Sequence, residues 1–168
     1  MIHMIQNAKD QVLALTNTAY QTAAAQGKLP GDVQVRANVE IPKDPANGDY
    51  TTTFALAAAK AMKRSPREIA AVLAESMDLA GSYFDSVEIA GAGFLNFRLG
   101  RKWYADTLSA VESEGAAYGR SDTLKGQKIM VEFVSANPTG PMHMGNARGG
   151  VLGDTLASVL QAAGADVW

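Results

Sequence analysis

Cysteine is absent from this sequence, which excludes disulfides, thiolate metal sites and cysteine nucleophiles and leaves the redox compartment unmarked. Two histidines are too few for a histidine-built metal site, so no metal centre is expected. No run of residues approaches the roughly 20 apolar positions of a membrane span. The amino terminus, MIHMIQNAKDQVLAL, also lacks the basic start, continuous apolar stretch and small-residue cleavage site of a signal peptide. The expectation is a soluble cytoplasmic protein without a membrane partner. Neither sign of charge dominates: 15 basic against 17 acidic side chains leave a formal charge of -2, so any contact with nucleic acid must come from a local patch. What remains is a chain of 168 residues, 47% apolar and 19% charged, able to bury a core and long enough for one compact domain with part of a second.

Ile5, Ala8, Val12, Leu15 and Ala19 recur at the three-and-four spacing of one helix face, and Gly27 and Pro30 end that helix. Val33, Val35, Ala37, Val39 and Ile41 then alternate with Gln34, Arg36, Asn38 and Glu40, which predicts a strand with one buried face, stopped by Pro42. KDPANGD is a loop, and TTTFALAAAKAMK predicts a helix from its alanine content. Ser65, Pro66 and Glu68 have the order of cap, first-turn proline and capping-box partner for a further helix, with Ile69, Val72, Leu73, Ser76 and Met77 inward. VEIA and FLNFRL flank Gly91-Ala92-Gly93 as a hairpin. A last helix of this part, about Trp103 to Ala117, should turn Tyr104, Leu108 and Val111 inward. This order predicts a small α+β domain over residues 1–117, and the polar stretch 118–128 reads as a linker.

From residue 129 the pattern changes. IMVEFV is a nearly continuous apolar strand, SANPTGPMHMGN a loop rich in proline and glycine, and ARGGVLGDTLASVLQAA a helix with Leu152, Leu156, Val159 and Leu160 inward. Gly164 caps it and ADVW begins a second strand, so residues 129–168 read as the start of a parallel α/β sheet, too short to cover its own faces. A helix that opens just after a strand aims free amides and a positive dipole end outward, which suits phosphate or carboxylate. Gly145 allows a flat ring or phosphate close to the backbone, and His143 offers a donor beside it. Neither the dinucleotide-binding nor the Walker glycine spacing is present. In the hairpin, Leu95, Phe97 and Leu99 point one way and Phe94, Asn96 and Arg98 the other. The second set combines a stacking ring, an amide and a charge, the components of a single-stranded RNA site. Lys60, Lys63, Arg64 and Arg67 form a second basic cluster, which reads as a solvated helix face.

His143-Met144-Gly145-Asn146 resembles the His-Ile-Gly-His motif of class I aminoacyl-tRNA synthetases, with Asn146 as the departure. The whole stretch VEFVSANPTGPMHMGNARGGVLGD is similar to the arginyl-tRNA synthetase version of that motif, and GDYTTTFALAAAK, SPREIA and EIAGAGFLNFRL look like the same family's amino-terminal domain. The resemblance implies a tRNA-binding α+β domain followed by the first, truncated βα unit of a class I Rossmann-like catalytic domain. It also implies arginine-tRNA ligase activity: ATP and arginine give arginyl-adenylate, and the arginyl group passes to tRNA. ATP is then a substrate, Mg2+ is expected with it, and no tightly bound cofactor is implied. By the same carry-over, His143 and Asn146 face the ATP phosphates and act in catalysis, and Gly145 accommodates the adenosine. Glu132, Ser135 and Asn137 hold the arginine, and Phe94, Asn96 and Arg98 touch the tRNA elbow at its D-loop. Asn146 also suits a helix cap, Ser135 and Asn137 also suit a turn before Pro138, and Glu132 also suits a structural pair. Two other readings are a stand-alone tRNA-binding module and a different nucleotidyltransferase. On the leading reading, the segment after the linker is expected to be inactive alone and to self-associate through Val131, Phe133, Leu156 and Val159.

Overall fold

A computed structural model describes residues 2–168, with side chains from Met4 onward, and divides them into two compact units, His3–Ser113 and Glu114–Trp168. In the first unit α1 runs Ile2–Ala25, and its small inner residues Ala8, Val12, Ala19 and Ala23 are buried. Thr16 joins them because its hydroxyl donates to the Val12 carbonyl at 2.7 Å, so no polar atom is stranded. Gly27, at φ 71, ends the helix in the left-handed region, and the Lys28 amide donates back to Ala23. The Tyr20 hydroxyl then donates to the Pro30 carbonyl at 2.6 Å and accepts from the Val33 amide at 3.2 Å, which fixes the chain's return.

The alternation of residues 33–40 is kept in burial: Val33, Val35, Ala37 and Val39 are half-buried and their neighbours are exposed. Only β1, Val39–Glu40, has ladder partners, however, and Ile41 is exposed. A strand needs a neighbour to bond with, and β2, Tyr50–Thr52, is only three residues long. That strand corrects the expectation of a helix from the first threonine of TTTFALAAAKAMK. The β-branched Thr51 and Thr52 extend and are buried, Thr53 is the N-cap, and α2 covers only Phe54–Met62. Gly48, at φ 88, lies so close to Phe97 that a Cβ there would stand 2.8 Å from the Phe97 carbonyl oxygen, and the Asp49 carboxylate accepts from the nearby Leu99 amide.

After α2 comes α3, Pro66–Glu75, with the expected capping box: the Glu68 amide donates to the Ser65 hydroxyl at 3.3 Å and the Ser65 amide to the Glu68 carboxylate at 3.1 Å. The Ser65 side chain first, then its backbone, hold the Glu68 carboxyl below its usual value. A carboxyl depressed on folding stabilises above the ordinary carboxylate range, and that contribution is lost as pH falls through it. Loss of the N-cap in Ser65→Ala should cost about 1 kcal/mol at neutral pH, and loss of the bonds to Glu68 should flatten the acid limb of stability. Urea titration at several pH values checks this, and an unshifted midpoint at neutral pH would remove the box from the account.

Strands β3, Phe84–Ala90, and β4, Phe94–Leu99, form the hairpin. The antiparallel sheet has the order β1-β2-β4-β3, which puts β4 in the interior with Phe97 opposite Tyr50 and Val87. On the core face Phe97 packs against Phe84 at 5.3 Å between ring centres, and Leu95, Phe54, Ile69 and Leu73 complete the cluster. Burial, and then the Asp49 charge, push the Tyr50 phenol up. The unit's last helix, α4, runs Arg101–Glu114 and inserts Trp103 against the core. The expectation that Tyr104, Leu108 and Val111 point inward is corrected, because all three are exposed. The core here is already closed by α1, α2 and α3, and α4 touches it through Trp103 alone among its apolar residues.

In the second unit, β5, Lys128–Ile129, pairs in parallel with β6, Asp166–Val167, and α5, Met144–Ala162, joins them. Residues of the stretch 118–128 bond the end of α5: the Ser121 amide donates to Ala162 and the Leu124 amide to Ala163. The expected strand 129–134 is shorter than its apolar run. Its last ladder bond is from Val131 to Trp168, and Val134 turns at φ 57. Met130, Phe133 and Val134 are exposed, and of the stripe expected to be inward Leu152, Leu156 and Val159 are exposed while Leu160 is half-buried. A two-residue ladder is too small to cover a 19-residue helix. The close packing lies at Gly153, whose missing Cβ leaves room for the Phe133 ring.

Candidate functional site

Each unit carries one group of the residues singled out above. In the second unit the His143 side chain is the N-cap of α5, accepting at Nδ1 from the Gly145 amide at 3.0 Å. Asn146 answers at the third helical position: its Oδ1 accepts from the His143 amide at 3.1 Å. The two side chains therefore close a reciprocal cap. With Nδ1 accepting, the neutral imidazole carries its proton on Nε2, and Asn146 keeps its amide hydrogens free. Sequence reasoning expected the free backbone amides of this helix to form the anion site. In the structure the Gly145, Asn146 and Ala147 amides bond to His143, and of the amides that open the helix Met144 alone is left over. The donors left for an anion at this helix start are the Met144 amide and the side chains of His143 and Asn146. Gly145 is needed for the imidazole itself, since a Cβ there would stand 2.8 Å from His143 Cε1.

Asn137, His143 and Asn146 line one open cleft of about 300 Å3, together with Thr139, Gly140 and Pro141. Ser135 and Glu132 are not part of its lining. They bond to each other, the Ser135 hydroxyl donating to the Glu132 carboxylate. The structure thus joins Asn137 to the helix cap and sets the Glu132–Ser135 pair apart. Among the described residues no group of three or more His, Cys, Asp or Glu side chains could hold a metal ion.

In the first unit, Phe94, Asn96 and Arg98 lie on the sheet face away from the core, as their alternation requires. Phe94 is exposed and lines a cavity of about 290 Å3 with Pro42, Asn47, Thr51, Gly91 and Asn96. Asn96 is no open surface amide: only 6% of it is accessible, opposite Thr51 and Glu88 on the neighbouring strands. The Thr51 hydroxyl is buried without a hydrogen-bond partner. Arg98 is held at the edge, donating to the Ala46 carbonyl at 2.7 Å and lying 3.6 Å from Glu88. The cavity therefore has a ring for stacking, an amide for polar edges and a spare hydroxyl. Sequence reasoning missed Thr51 and Asn47. The Thr51 signal was hidden because the threonine run was assigned to a helix.

Among the described residues no helix is long and apolar enough to cross a membrane. The arginine-tRNA ligase of Acetivibrio thermocellus is 46% identical to this chain over 167 residues, covering 99% of it and 30% of that protein. The ligase of Caldanaerobacter subterraneus subsp. tengcongensis is 44% identical over the same coverage. This chain thus spans about 30% of the length of these curated relatives. The crystal structure of arginyl-tRNA synthetase from Plasmodium falciparum shares the fold over 95% of this chain and 29% of its own, with a TM-score of 0.55 at 14% identity. The sequence profile of the arginyl tRNA synthetase N terminal domain matches residues 9–99, the segment that holds the four-stranded sheet, α2, α3 and the Phe94 cavity. The chain therefore belongs to the arginyl tRNA synthetase N terminal domain family.

Proposed function

We propose that this chain is the amino-terminal part of an arginine-tRNA ligase, with tRNA contact in its first unit and part of a Rossmann-like ATP site in its second. The observation that carries the reading is the reciprocal His143–Asn146 cap at the start of α5, within a chain whose first unit matches the family. In the ligase reaction the arginine carboxylate attacks the α-phosphorus of ATP, pyrophosphate leaves, and the arginyl group then moves to the terminal ribose of tRNA. The attacking group belongs to the substrate, so the protein's work is positioning and stabilising charge on phosphate. His143 Nε2 and the Asn146 amide are two neutral donors on a helix start, fixed by their mutual bonds before substrate arrives. Asn137 lines the same cleft and is placed to meet the amino acid. Glu132 and Ser135 act as one hydrogen-bonded unit, with the carboxylate as counter-charge for the arginine ammonium. The Mg2+ that accompanies ATP would be carried by its phosphates.

For the first unit the reading is a pocket for an unpaired tRNA base, from the D-loop at the elbow. The base would stack on Phe94, with its edge bonded by Asn96 and the Thr51 hydroxyl. Phe94→Ala in the full-length ligase should weaken tRNA binding by about 1–3 kcal/mol. ATP affinity should be unchanged, because Phe94 lies in the other unit from His143. Filter binding with a tRNA(Arg) transcript checks this, and equal affinity for a normally folded variant would withdraw the base pocket.

A further inference from the structure

The cavity beside Phe94 can receive a flat ring, but a nucleotide also brings phosphates, and no cation lines the cavity, while Arg98 on the same strand is not free to meet them. Arg98 is committed to the Ala46 carbonyl and to Glu88, whose charge offsets it. At the other end of the cavity the chain turns through Gly91, Ala92 and Gly93. Gly93, at φ 131, is packed so tightly on the start of α3 that a Cβ would stand 2.7 Å from the carbonyl carbon and oxygen of Pro66. The residue after Gly93 is Phe94 and the residue after Pro66 is Arg67, so this contact sets the start of α3, and Arg67 with it, at the turn end of the hairpin that carries the stacking ring. Lys63 precedes α3 by three residues, and Lys60 lies one turn before it on α2. Lys60, Lys63 and Arg67 are exposed, and none has a carboxylate partner among the described residues. Arg64 differs, since its guanidinium donates to the Lys28 carbonyl at 2.7 Å.

Lys63 carries a second, independent sign. It closes α2 at φ 52 and ψ 38, in the left-handed region that glycine fills without strain. A lysine there keeps a positive charge at a position where the backbone favours its loss. Strain held at such a point is a mark of function when the side chain has chemistry to offer. The chain's net charge of -2 adds to this, because RNA must then be attracted by a local group of cations, here three basic side chains beside the single Glu68 carboxylate, which is bonded to Ser65.

We infer that Lys63 and Arg67, supported by Lys60, bind the backbone phosphates of the RNA strand whose base occupies the Phe94 cavity. The inference rests on the reading of that cavity as a base site. The base gives the contact its selectivity, and the cations give it affinity and salt dependence.

The test uses the full-length ligase and a tRNA(Arg) transcript, with affinity measured from low to physiological salt. Lys63→Gly removes the charge and relieves the left-handed strain, so its melting temperature should hold or rise while binding weakens about fivefold near 0.15 M salt. With Arg67→Gln added, the slope of log affinity against log salt should shrink by about 1.4–1.8, which is two phosphate contacts. Phe94→Ala should weaken binding and leave that slope as it was. An unchanged slope in the Lys63→Gly, Arg67→Gln protein, with Phe94→Ala still weakened, would overturn the phosphate contact and spare the base pocket. A reduced slope with Phe94→Ala at full affinity would withdraw the base pocket and keep the cations as RNA contacts. Full affinity and slope in every variant would overturn both.

Discussion

His143→Ala in the full-length ligase is expected to slow arginyl-adenylate formation about 100-fold or more, the range for losing one preorganised donor to a developing charge. Two effects are combined in that substitution. The imidazole caps α5 through Nδ1 and offers Nε2 to the substrate, so alanine also removes a cap worth about 1 kcal/mol. His143→Ser separates them, because the hydroxyl can accept from the Gly145 amide but is too short to stand where Nε2 stands. Serine should restore thermal stability and leave activation slow, as read by single-turnover adenylate formation. A near-normal rate in the serine protein would remove the imidazole from the chemistry and leave it a helix cap. Binding of tRNA should survive in both, since the base pocket lies in the other unit.

Phe97→Ala should cost about 3–5 kcal/mol, the range for removing a buried phenylalanine ring. Phe97 has no accessible surface, sits on an interior strand and packs edge-on to Phe84. Its backbone carbonyl also receives the Asp49 amide at 2.8 Å, so the ring's loss loosens the contact that seats the Gly48–Asp49 turn. Against a usual total of about 5–15 kcal/mol, such a loss leaves a domain close to unfolding at 37 °C. Urea unfolding followed by circular dichroism measures it. A midpoint close to that of the unmodified chain would place the ring outside the core.

Local chemistry was the legible part of the fold. Ser65, Pro66 and Glu68 announced a helix start because cap, proline and reach-back partner act within four residues, and Gly91-Ala92-Gly93 announced a hairpin for the same reason. What depended on distant partners was hidden. The alternation from Val33 to Ile41 reported which side faces the core, yet ladder bonds need a neighbour, and only Val39 and Glu40 have one. Thr51 and Thr52 read as the start of a helix because the alanines that follow dominate a local reading, while pairing with β4 decides the outcome. Tyr104, Leu108, Leu152 and Leu156 have helical apolar spacing, but spacing does not say what covers the stripe. At the site, helix and glycine placed His143, Gly145 and Asn146 together in advance. The reciprocal cap was not foreseen, since histidine is not among the usual capping residues. The exclusion of Glu132 and Ser135 from the cleft depends on the path of the loop after Val134.

The order β1-β2-β4-β3 has a consequence for how the chain can be made. A ribosome releases α1, β1, β2, α2 and α3 before the strand that joins them, because β4 is the last strand of this sheet to emerge. Until Leu99 is free of the exit tunnel, β2 lacks one of its two neighbours, and Phe54 and Leu73 lack the ring of Phe97. Helical turns can form early, but the non-local pairing waits for the whole segment. Nascent chains arrested before Phe94 should therefore stay sensitive to protease, and protection should arrive in one step once β4 has cleared the tunnel.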